Sequence, residues 1–310
     1  MMTIYLICGF IFLLFIFLAG MMLLRNGLVR LSEEKIRTWL VFWTDHPIKG
    51  FLAGILFTGI LQSSSAFMVI VIGFVTAGLL TFKQTIGLIL GTNIGSTFTT
   101  EMITLDLDYL ILPLFIIGLL GMLSKNPLFY GLGSTFVGLG SIFGTMWGFS
   151  HFAEPLTSLN FVHSFLLSAN EHSLFGIAGG TVVTAIIHSS AATTGIVMSF
   201  MNEHILNLSA GIAFVLGANI GTCITAVLAS VGANKEARLT ALAHVWVNLI
   251  GVALFLPFIE AMSPFVQDLA ESPDLQLAHF SLLFNVISSL AILPFADVFS
   301  KFVLFTARLK

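Results

Sequence analysis

One stretch of this sequence occurs twice, 126 positions apart and without a gap. The segment Ile-Leu-Gln-Ser-Ser-Ser-Ala at 60–66 returns as Ile-Ile-His-Ser-Ser-Ala-Ala at 186–192. A second segment, Gly-Thr-Asn-Ile-Gly-Ser-Thr at 91–97, returns as Gly-Ala-Asn-Ile-Gly-Thr-Cys at 217–223. Across the 47 aligned positions that include both segments, 17 are identical, which is more than shared apolar composition explains. We therefore expect the chain to contain two copies of one structural unit.

The composition places both copies in a membrane. The chain is 57% hydrophobic and 9% charged, with a mean hydropathy of +1.04, whereas about a quarter of the residues of a soluble domain are charged. The first apolar stretch, 4–24, is long enough to cross a bilayer. No small-residue cleavage site follows it, so we expect a retained helix and not a signal peptide. The sequence predicts an all-α, multi-pass membrane protein.

Two of the apolar stretches, 50–80 and 175–206, are too long for one simple span, and the serine-containing segment interrupts each of them midway. One interpretation is a long tilted helix that carries serines. The alternative is a re-entrant hairpin, in which two half-helices enter the membrane and return to the same face with the serines at the tip. The nine apolar stretches are 4–24, 50–80, 84–104, 109–123, 129–149, 175–206, 210–230, 239–259 and 276–299.

The basic residues favour the hairpins, because Lys and Arg collect on the cytoplasmic side of membrane proteins. If both long stretches are re-entrant, all 12 basic residues fall on one face, with the N-terminus outside and the C-terminus in the cytoplasm. If 50–80 crossed the membrane instead, Lys83 and Lys125 would lie on the opposite side from the basic residues before them. The residues used for this assignment are Arg25, Arg30, Lys35, Arg37, Lys49, Lys83, Lys125, Lys235, Arg238, Lys301, Arg308 and Lys310.

Three spans and one hairpin per copy give each repeat an odd number of crossings, so the second copy is expected to enter the membrane from the opposite face. We predict a first inverted repeat at 1–126 and a second at 127–259. An external loop, a last transmembrane helix and a short cytoplasmic tail follow at 260–310. Inverted repeats with broken helices that meet near mid-membrane are typical of secondary transporters.

The hairpin tips carry the predicted substrate site. A half-helix that begins at a tip exposes unpaired N–H groups and the positive end of its dipole, which attract anions. No Arg or Lys lies in these segments. Bidentate Arg is typical of tight oxyanion binding, so its absence indicates a site that releases its cargo and takes positive charge from a co-bound cation. The predicted substrate-binding residues are Gln62, Ser63, Ser64, Ser65, His188, Ser189 and Ser190.

The second repeated segment is the predicted sodium site. Its glycines weaken the helix and free carbonyl groups that, with side-chain oxygens, would surround a hard cation. The alternative is close helix packing, because Gly91 and Gly95 are four positions apart, as are Gly217 and Gly221. The predicted sodium-binding residues are Thr92, Asn93, Ser96, Thr97, Thr193, Thr194, Asn219 and Thr222.

The two repeated segments together resemble those of the sodium-dependent phosphate cotransporter family, which includes the animal type II cotransporters and shorter bacterial forms. The resemblance implies sodium-coupled movement of inorganic phosphate, with the serine hairpins as substrate and ion sites. The second copy departs from the pattern at His188, Ala191 and Cys223. These changes leave the sodium stoichiometry open. His188 is either a titrating group that makes transport pH-sensitive or a packed neutral histidine.

The predicted function is secondary active transport of phosphate across the cell membrane, driven by sodium and proceeding by alternating access at a midplane site. The expected partners are phosphate, sodium and lipid, with neither nucleic acid nor a cofactor, and a homodimer is an open alternative. A carrier of another oxyanion such as sulfate is the closest competing hypothesis. An intramembrane serine hydrolase fits less well, because catalysis needs a base within reach of the serine. A channel fits poorly with hairpins that block the midplane. The direction of transport stays open.

Overall fold

A computed structural model describes residues 2–32, 43–105 and 107–308 of the protein. Within these ranges the backbone forms helices, turns and short connections, and no strand is present. The all-α prediction is therefore confirmed for the described part. Three of the basic residues used for the predicted sidedness lie outside the described residues: Lys35, Arg37 and Lys310.

Fourteen α-helices follow one another along the described chain. The first five are α1 (Met2–Ser32), α2 (Pro47–Leu61), α3 (Ser64–Thr76), α4 (Phe82–Ile103) and α5 (Ile111–Met122). The next six are α6 (Pro127–Leu156), α7 (Asn160–Glu171), α8 (Ser173–Ile187), α9 (Ser190–Asn202), α10 (Leu208–Ala229) and α11 (Lys235–Phe255). The last three are α12 (Ile259–Gln267), α13 (Pro273–Ile292) and α14 (Ala296–Arg308).

The sequence repeat is also a structural repeat. Helices α2, α3 and α4 contain 15, 13 and 22 residues, and α8, α9 and α10 have the same three lengths. Each helix of the second set begins and ends 126 positions after its counterpart. In both copies the long apolar stretch is therefore two helices, broken at the serine-containing segment, and not one continuous helix.

Glycines bring the first helix of each broken pair into backbone contact with the long helix that follows. Gly87, Gly91 and Gly95 lie one turn apart on α4. A Cβ atom at these glycines would collide with the carbonyl oxygens of Pro47, Phe51 and Ile55, respectively. Each pair is 40 positions apart, so α2 and α4 run parallel. Gly217 and Gly221 on α10 meet the carbonyl oxygens of Ile177 and Thr181 on α8 in the same way. The packing alternative for these glycines is thus what the structure shows.

Because α2 and α4 run parallel, α3 brings the chain back to the end of the molecule from which α2 starts. Two contacts with the start of α11 mark that end. The Glu236 carboxylate accepts a hydrogen bond from the Phe82 N–H at 2.7 Å. The Asn234 amide donates to the Val75 carbonyl at 3.1 Å. The first broken pair therefore begins and ends where α11 begins.

The second broken pair begins and ends elsewhere. Asn170, just before α8, donates its amide to the Ile205 carbonyl at 2.9 Å and accepts from the Asn207 N–H at 3.0 Å. The start of α8 and the start of α10 are therefore neighbours. Helix α10 starts beside Asn170 and ends just before α11 begins. The start of α11 is in turn next to the start of α4.

Five helices in the described ranges are long and apolar enough to cross a membrane, or six if a bent pair counts as one span. The bent pair is Phe82–Ile103 with Asp108–Met122, at 83°. The sequence analysis expected seven full spans in addition to the hairpins. The two expected spans that are not among the five are 84–104 and 109–123. Helix α4 is counted only as part of the bent pair, and α5, with 12 residues, is shorter than the roughly 20 residues that a span needs.

Candidate functional site

The two helix breaks meet at one cavity. Its volume is about 280 Å³, and the seven predicted substrate-binding residues all line it. The structure thus brings together two segments that are 126 positions apart in sequence. Whether an anion binds there stays a prediction. The lining residues are Leu18, Met21, Met22, Arg25, Gln62, Ser63, Ser64, Ser65, Ser96, Thr99, Ile187, His188, Ser189, Ser190 and Ala191.

The two tips have the same backbone conformation. Gln62 ends α2 with φ 49° and ψ 29°, and His188 ends α8 with φ 58° and ψ 26°, so both residues are left-handed. Such a residue terminates a helix and redirects the chain. The next residue caps the following helix: the Ser63 hydroxyl accepts from the Ala66 N–H and the Ser189 hydroxyl accepts from the Ala192 N–H, each at 3.2 Å.

Gln62 and His188 occupy equivalent places and are held by equivalent partners. The Thr99 hydroxyl donates to the Gln62 side-chain oxygen at 2.9 Å, and the Gln62 amide nitrogen donates to the Gly59 carbonyl. The His188 Nδ1 lies 3.1 Å from the hydroxyl of Thr225, which is 126 positions after Thr99. The histidine is therefore a structural replacement for the glutamine. Its side chain is exposed, and whether it titrates during transport stays a prediction.

The tips also touch each other. The Ser65 hydroxyl donates to the His188 carbonyl at 3.4 Å, and the Ser64 and Ser65 side chains are buried. Within a helix the first N–H groups have no carbonyl partner, and only the third one of α3 and of α9 is taken by the serine cap. Unpaired backbone N–H groups therefore lie at the cavity, where α3 and α9 begin. The positive ends of both helix dipoles lie there too.

One charged residue of the cavity was missed from the sequence. Arg25 of α1 lines it, and no Asp or Glu occurs among the described lining residues. The sequence analysis, which found no Arg or Lys in the repeated segments, did not anticipate this residue. It considered only the repeated segments, and nothing in the sequence between 25 and 62 links α1 to the tips. Only the packing of α1 beside the tips brings the guanidinium there. The sequence analysis had assigned Arg25 to the cytoplasmic face with the other basic residues, whereas it lines the cavity at the tips.

The predicted sodium-binding residues of α4 are not gathered at one point. Ser96 lines the cavity, while its hydroxyl donates to the Asn93 carbonyl at 2.7 Å. The Asn93 amide donates to Asn248 of α11 at 3.2 Å. Thr92 shares a 2.6 Å hydrogen bond with the Thr58 hydroxyl, and the Thr97 hydroxyl donates to a carbonyl of its own helix. Much of this polarity joins helices to each other.

The remaining four predicted sodium ligands lie on the second repeat and are not among the residues that line the cavity. Thr193 accepts a hydrogen bond from the Thr184 hydroxyl at 2.8 Å, and Thr194 is buried beside it on α9. Asn219 and Thr222 both donate to carbonyls of their own helix, at 2.9 and 3.0 Å. Sodium binding by these residues stays a prediction.

The geometry of the tips does not form a hydrolase site. In the described ranges, no hydrogen bond joins a tip serine hydroxyl to a histidine ring, and the His188 ring contacts Thr225 instead of a carboxylate. A serine nucleophile needs a base within hydrogen-bond reach and a group that orients the base.

Five or six long apolar helices around a small cavity are the architecture of a multi-pass membrane protein. The model of the Na+/Pi-cotransporter family matches residues 16–151 and again 153–290. The chain belongs to that family, which is a family of transporters. The family resemblance stated from the two repeated segments is confirmed.

Individual relatives cover different shares of the chain. The YqeW protein of Bacillus subtilis (strain 168) is 52% identical over 95% of this chain and 96% of its own length. YjbB of Escherichia coli (strain K12), whose name describes inorganic phosphate export, is 27% identical over 91% of this chain. This chain spans 52% of that protein's length. Human sodium-dependent phosphate transport protein 2B is 35% identical over 29% of the chain and 14% of its own length. No solved structure matches.

Proposed function

We propose that this protein is a sodium-coupled secondary transporter of inorganic phosphate that works by alternating access around the tip cavity. The observation that carries the proposal is the meeting of two equivalent helix breaks at one polar cavity, in a chain of the Na+/Pi-cotransporter family. Two helix N-termini, serine hydroxyls and one guanidinium suit a tetrahedral oxyanion. Family membership favours phosphate over sulfate as the cargo.

The two broken pairs act as re-entrant hairpins in repeats of opposite orientation. Two contacts and the order of the helices support this. Gly87 meets the Pro47 carbonyl, so α2 and α4 start together. Glu236 caps the start of α4 and begins α11, which directly follows the end of α10. Helix α4 therefore starts at the end of the molecule where its counterpart α10 finishes. Opposed repeats of this kind provide two related conformations for alternating access.

We assign the α2 start to the cytoplasm, with the N-terminus outside. The basic residues support this orientation, because Lys49 and Lys83 flank the first broken pair and lie beside Asp45 and Asp297, and Lys and Arg mark the cytoplasmic side. Single-cysteine variants at 49 and 83, labelled in intact cells by a membrane-impermeant maleimide, test the assignment. The expected result is protection of both positions until the cells are permeabilised. Labelling of one position without the other would contradict the hairpin.

Sodium supplies the driving force in this proposal. The hydroxyls and carbonyls of α4 and α10 near the tips are oxygen ligands of the kind that hard cations prefer, and human protein 2B, a relative in part of the chain, is named as sodium-dependent. The test is uptake of radiolabelled phosphate into proteoliposomes, with a sodium gradient or with potassium replacing sodium. We expect uptake above that of protein-free liposomes only with sodium. Equal uptake in both conditions would remove sodium coupling.

The same proteoliposomes test the cargo and the direction. An excess of unlabelled phosphate should suppress uptake, while an excess of sulfate should not. If unlabelled sulfate suppresses the uptake and unlabelled phosphate does not, the cargo is sulfate. Relatives named for phosphate export suggest outward transport in the cell, and a symmetric mechanism runs in either direction according to the gradient. Phosphate efflux from preloaded vesicles under a reversed sodium gradient measures whether transport can run outward.

Whether the protein is a homodimer is a separate question, which light scattering of the purified protein decides.

The serine tips are tested by Ser64→Ala and Ser190→Ala. Each removes one hydroxyl from the cavity, and we expect apparent phosphate affinity to fall roughly five- to tenfold for each lost hydrogen bond. Ser199→Ala is the matched control, because Ser199 is buried on the same helix as Ser190 and donates to the Gly195 carbonyl away from the cavity. Unchanged affinity in both tip variants would show that the tips are not the site.

A further inference from the structure

Arg25 is the one charged residue among the described residues that line the tip cavity. It lies on α1, one turn beyond Met21 and Met22, which line the same wall. No hydrogen bond or ion pair joins its guanidinium to another described residue. A cation beside a polar cavity, without a carboxylate partner, is available to bind an anion.

The second repeat offers no equivalent charge. The position 126 residues after Arg25 is His151, on α6. It does not line the cavity, and its Nδ1 lies 2.8 Å from the Trp147 carbonyl of its own helix. Trp147 itself, the counterpart of Met21, lines a different cavity. Only the first repeat therefore places a guanidinium at the cavity, and no residue of the second repeat supplies an equivalent one.

A comparison with Arg30 shows that an unpaired guanidinium is not a general property of α1. Five residues further along the same helix, Arg30 lies over the Tyr130 ring of α6, with its guanidinium carbon 4.7 Å from the ring centroid. This contact is a cation–π interaction. Arg30 thus has a partner within the protein, whereas Arg25 has none among the residues that the structure describes. Ionisable residues inside membrane proteins are costly and pair with a counter-charge or mark the path of a substrate.

We propose that the Arg25 guanidinium binds the transported oxyanion directly, as a third wall of the site that faces the two serine tips. The inference rests on the proposed function, because it assumes that the cavity holds an anion. The planar fork of Arg donates two parallel hydrogen bonds to two oxygens of one tetrahedral anion. The tip N–H groups and hydroxyls then bind the remaining oxygens. The anion is in this way the missing partner of Arg25.

The first test measures equilibrium binding of radiolabelled phosphate to the purified protein in detergent, with sodium present. We expect Arg25→Gln to raise the phosphate Kd by roughly 10- to 100-fold, the range for a hydrogen bond to a charged group. Arg25→Lys keeps the charge, loses the fork and should give an intermediate Kd. Arg30→Gln is the matched control and should bind within about twofold of the wild type. Equal Kd values for wild type and Arg25→Gln would overturn the inference.

The second test needs no variant and covers the case in which Arg25→Gln does not fold. Phenylglyoxal modifies accessible arginines, and peptide mass spectrometry follows Arg25 and Arg30 separately in the wild-type protein. Phosphate should slow the modification of Arg25 several-fold and leave that of Arg30 unchanged. Equal rates at Arg25 with and without phosphate, under conditions in which phosphate is bound, would overturn the inference.

The two tests separate this inference from the proposed function. If wild-type protein binds no phosphate in the first test, the proposed cargo fails and the role of Arg25 fails with it. If wild-type protein binds phosphate but neither Arg25→Gln nor phosphate protection shows an effect, the proposed function stands and Arg25 is not a ligand.

Discussion

The strongest structural prediction concerns Gly91, where α4 touches α2 without an intervening side chain. A Cβ atom at this position would lie 2.8 Å from the Ile55 nitrogen, 2.9 Å from the Gly54 Cα and still closer to the Phe51 carbonyl oxygen. All three are backbone atoms, so no rotamer change relieves the overlap. Gly91→Ala therefore forces the two helices apart by roughly 1.5 Å, which is the shift that restores ordinary van der Waals contact with the Phe51 carbonyl oxygen.

The cost follows from overpacking a buried interface. One extra methyl group in a well-packed core costs about 1–3 kcal/mol, and we place Gly91→Ala at the upper end because only backbone can move. The α2 shift also moves Gln62 relative to Thr99, which stretches the 2.9 Å hydrogen bond that holds the first tip. We expect both a lower thermal unfolding midpoint and weaker phosphate binding.

The assay is thermal unfolding of the purified protein in detergent, followed by size-exclusion chromatography of the remaining folded fraction. Gly73→Ala is the matched control, because a Cβ atom there meets nothing within 4 Å and Ala is the better helix former. Gly217→Ala, against the Ile177 backbone in the second repeat, should match Gly91→Ala. If Gly91→Ala and Gly73→Ala unfold at the same temperature, the close-contact argument is wrong.

Three further predictions address single hydrogen bonds and the backbone of the first tip. Asn93→Leu and Asn248→Leu should each destabilise the protein by about 1–3 kcal/mol by leaving a buried amide unpaired. The double variant should lose less stability than the two single variants lose together, because neither amide is then left without its partner. A double-mutant cycle of unfolding midpoints measures this difference. Gln62→Gly should keep the fold, because Gly adopts the left-handed conformation freely, whereas Gln62→Val should unfold earlier by about 1–3 kcal/mol of backbone strain; equal midpoints would refute this. Glu236→Ala should lower the unfolding midpoint by removing the cap on the Phe82 N–H, a loss of roughly 1 kcal/mol, and hydrogen exchange at the start of α4 should increase with it.

The repeat was predictable because the same local signals occur twice. Serine after a residue that ends a helix is a strong N-cap, and Ser63 and Ser189 both act as caps in the structure. The break in each long apolar stretch therefore follows from local backbone chemistry. The replacement of Gln62 by His188 did not change the tip, because each side chain bonds to an equivalent threonine.

Other features could not be read from local sequence. The glycines of α4 and α10 suit both a cation site and close packing, and only the position of α2 and α8 shows that they pack. The stretch at 109–123 has the composition of a span, but its helix has only 12 residues and is joined to α4 at an 83° bend.

The sequence by itself determined the membrane environment, the duplication and the two helix breaks, since hydropathy, repeated residues and serine caps all act over short distances along the chain. The tertiary structure alone decided that the two breaks share one cavity and that Arg25 joins them. Contacts between residues far apart in sequence depend on how helices pack, and helix packing is set by the summed shapes of many side chains. No single segment of the sequence contains that information.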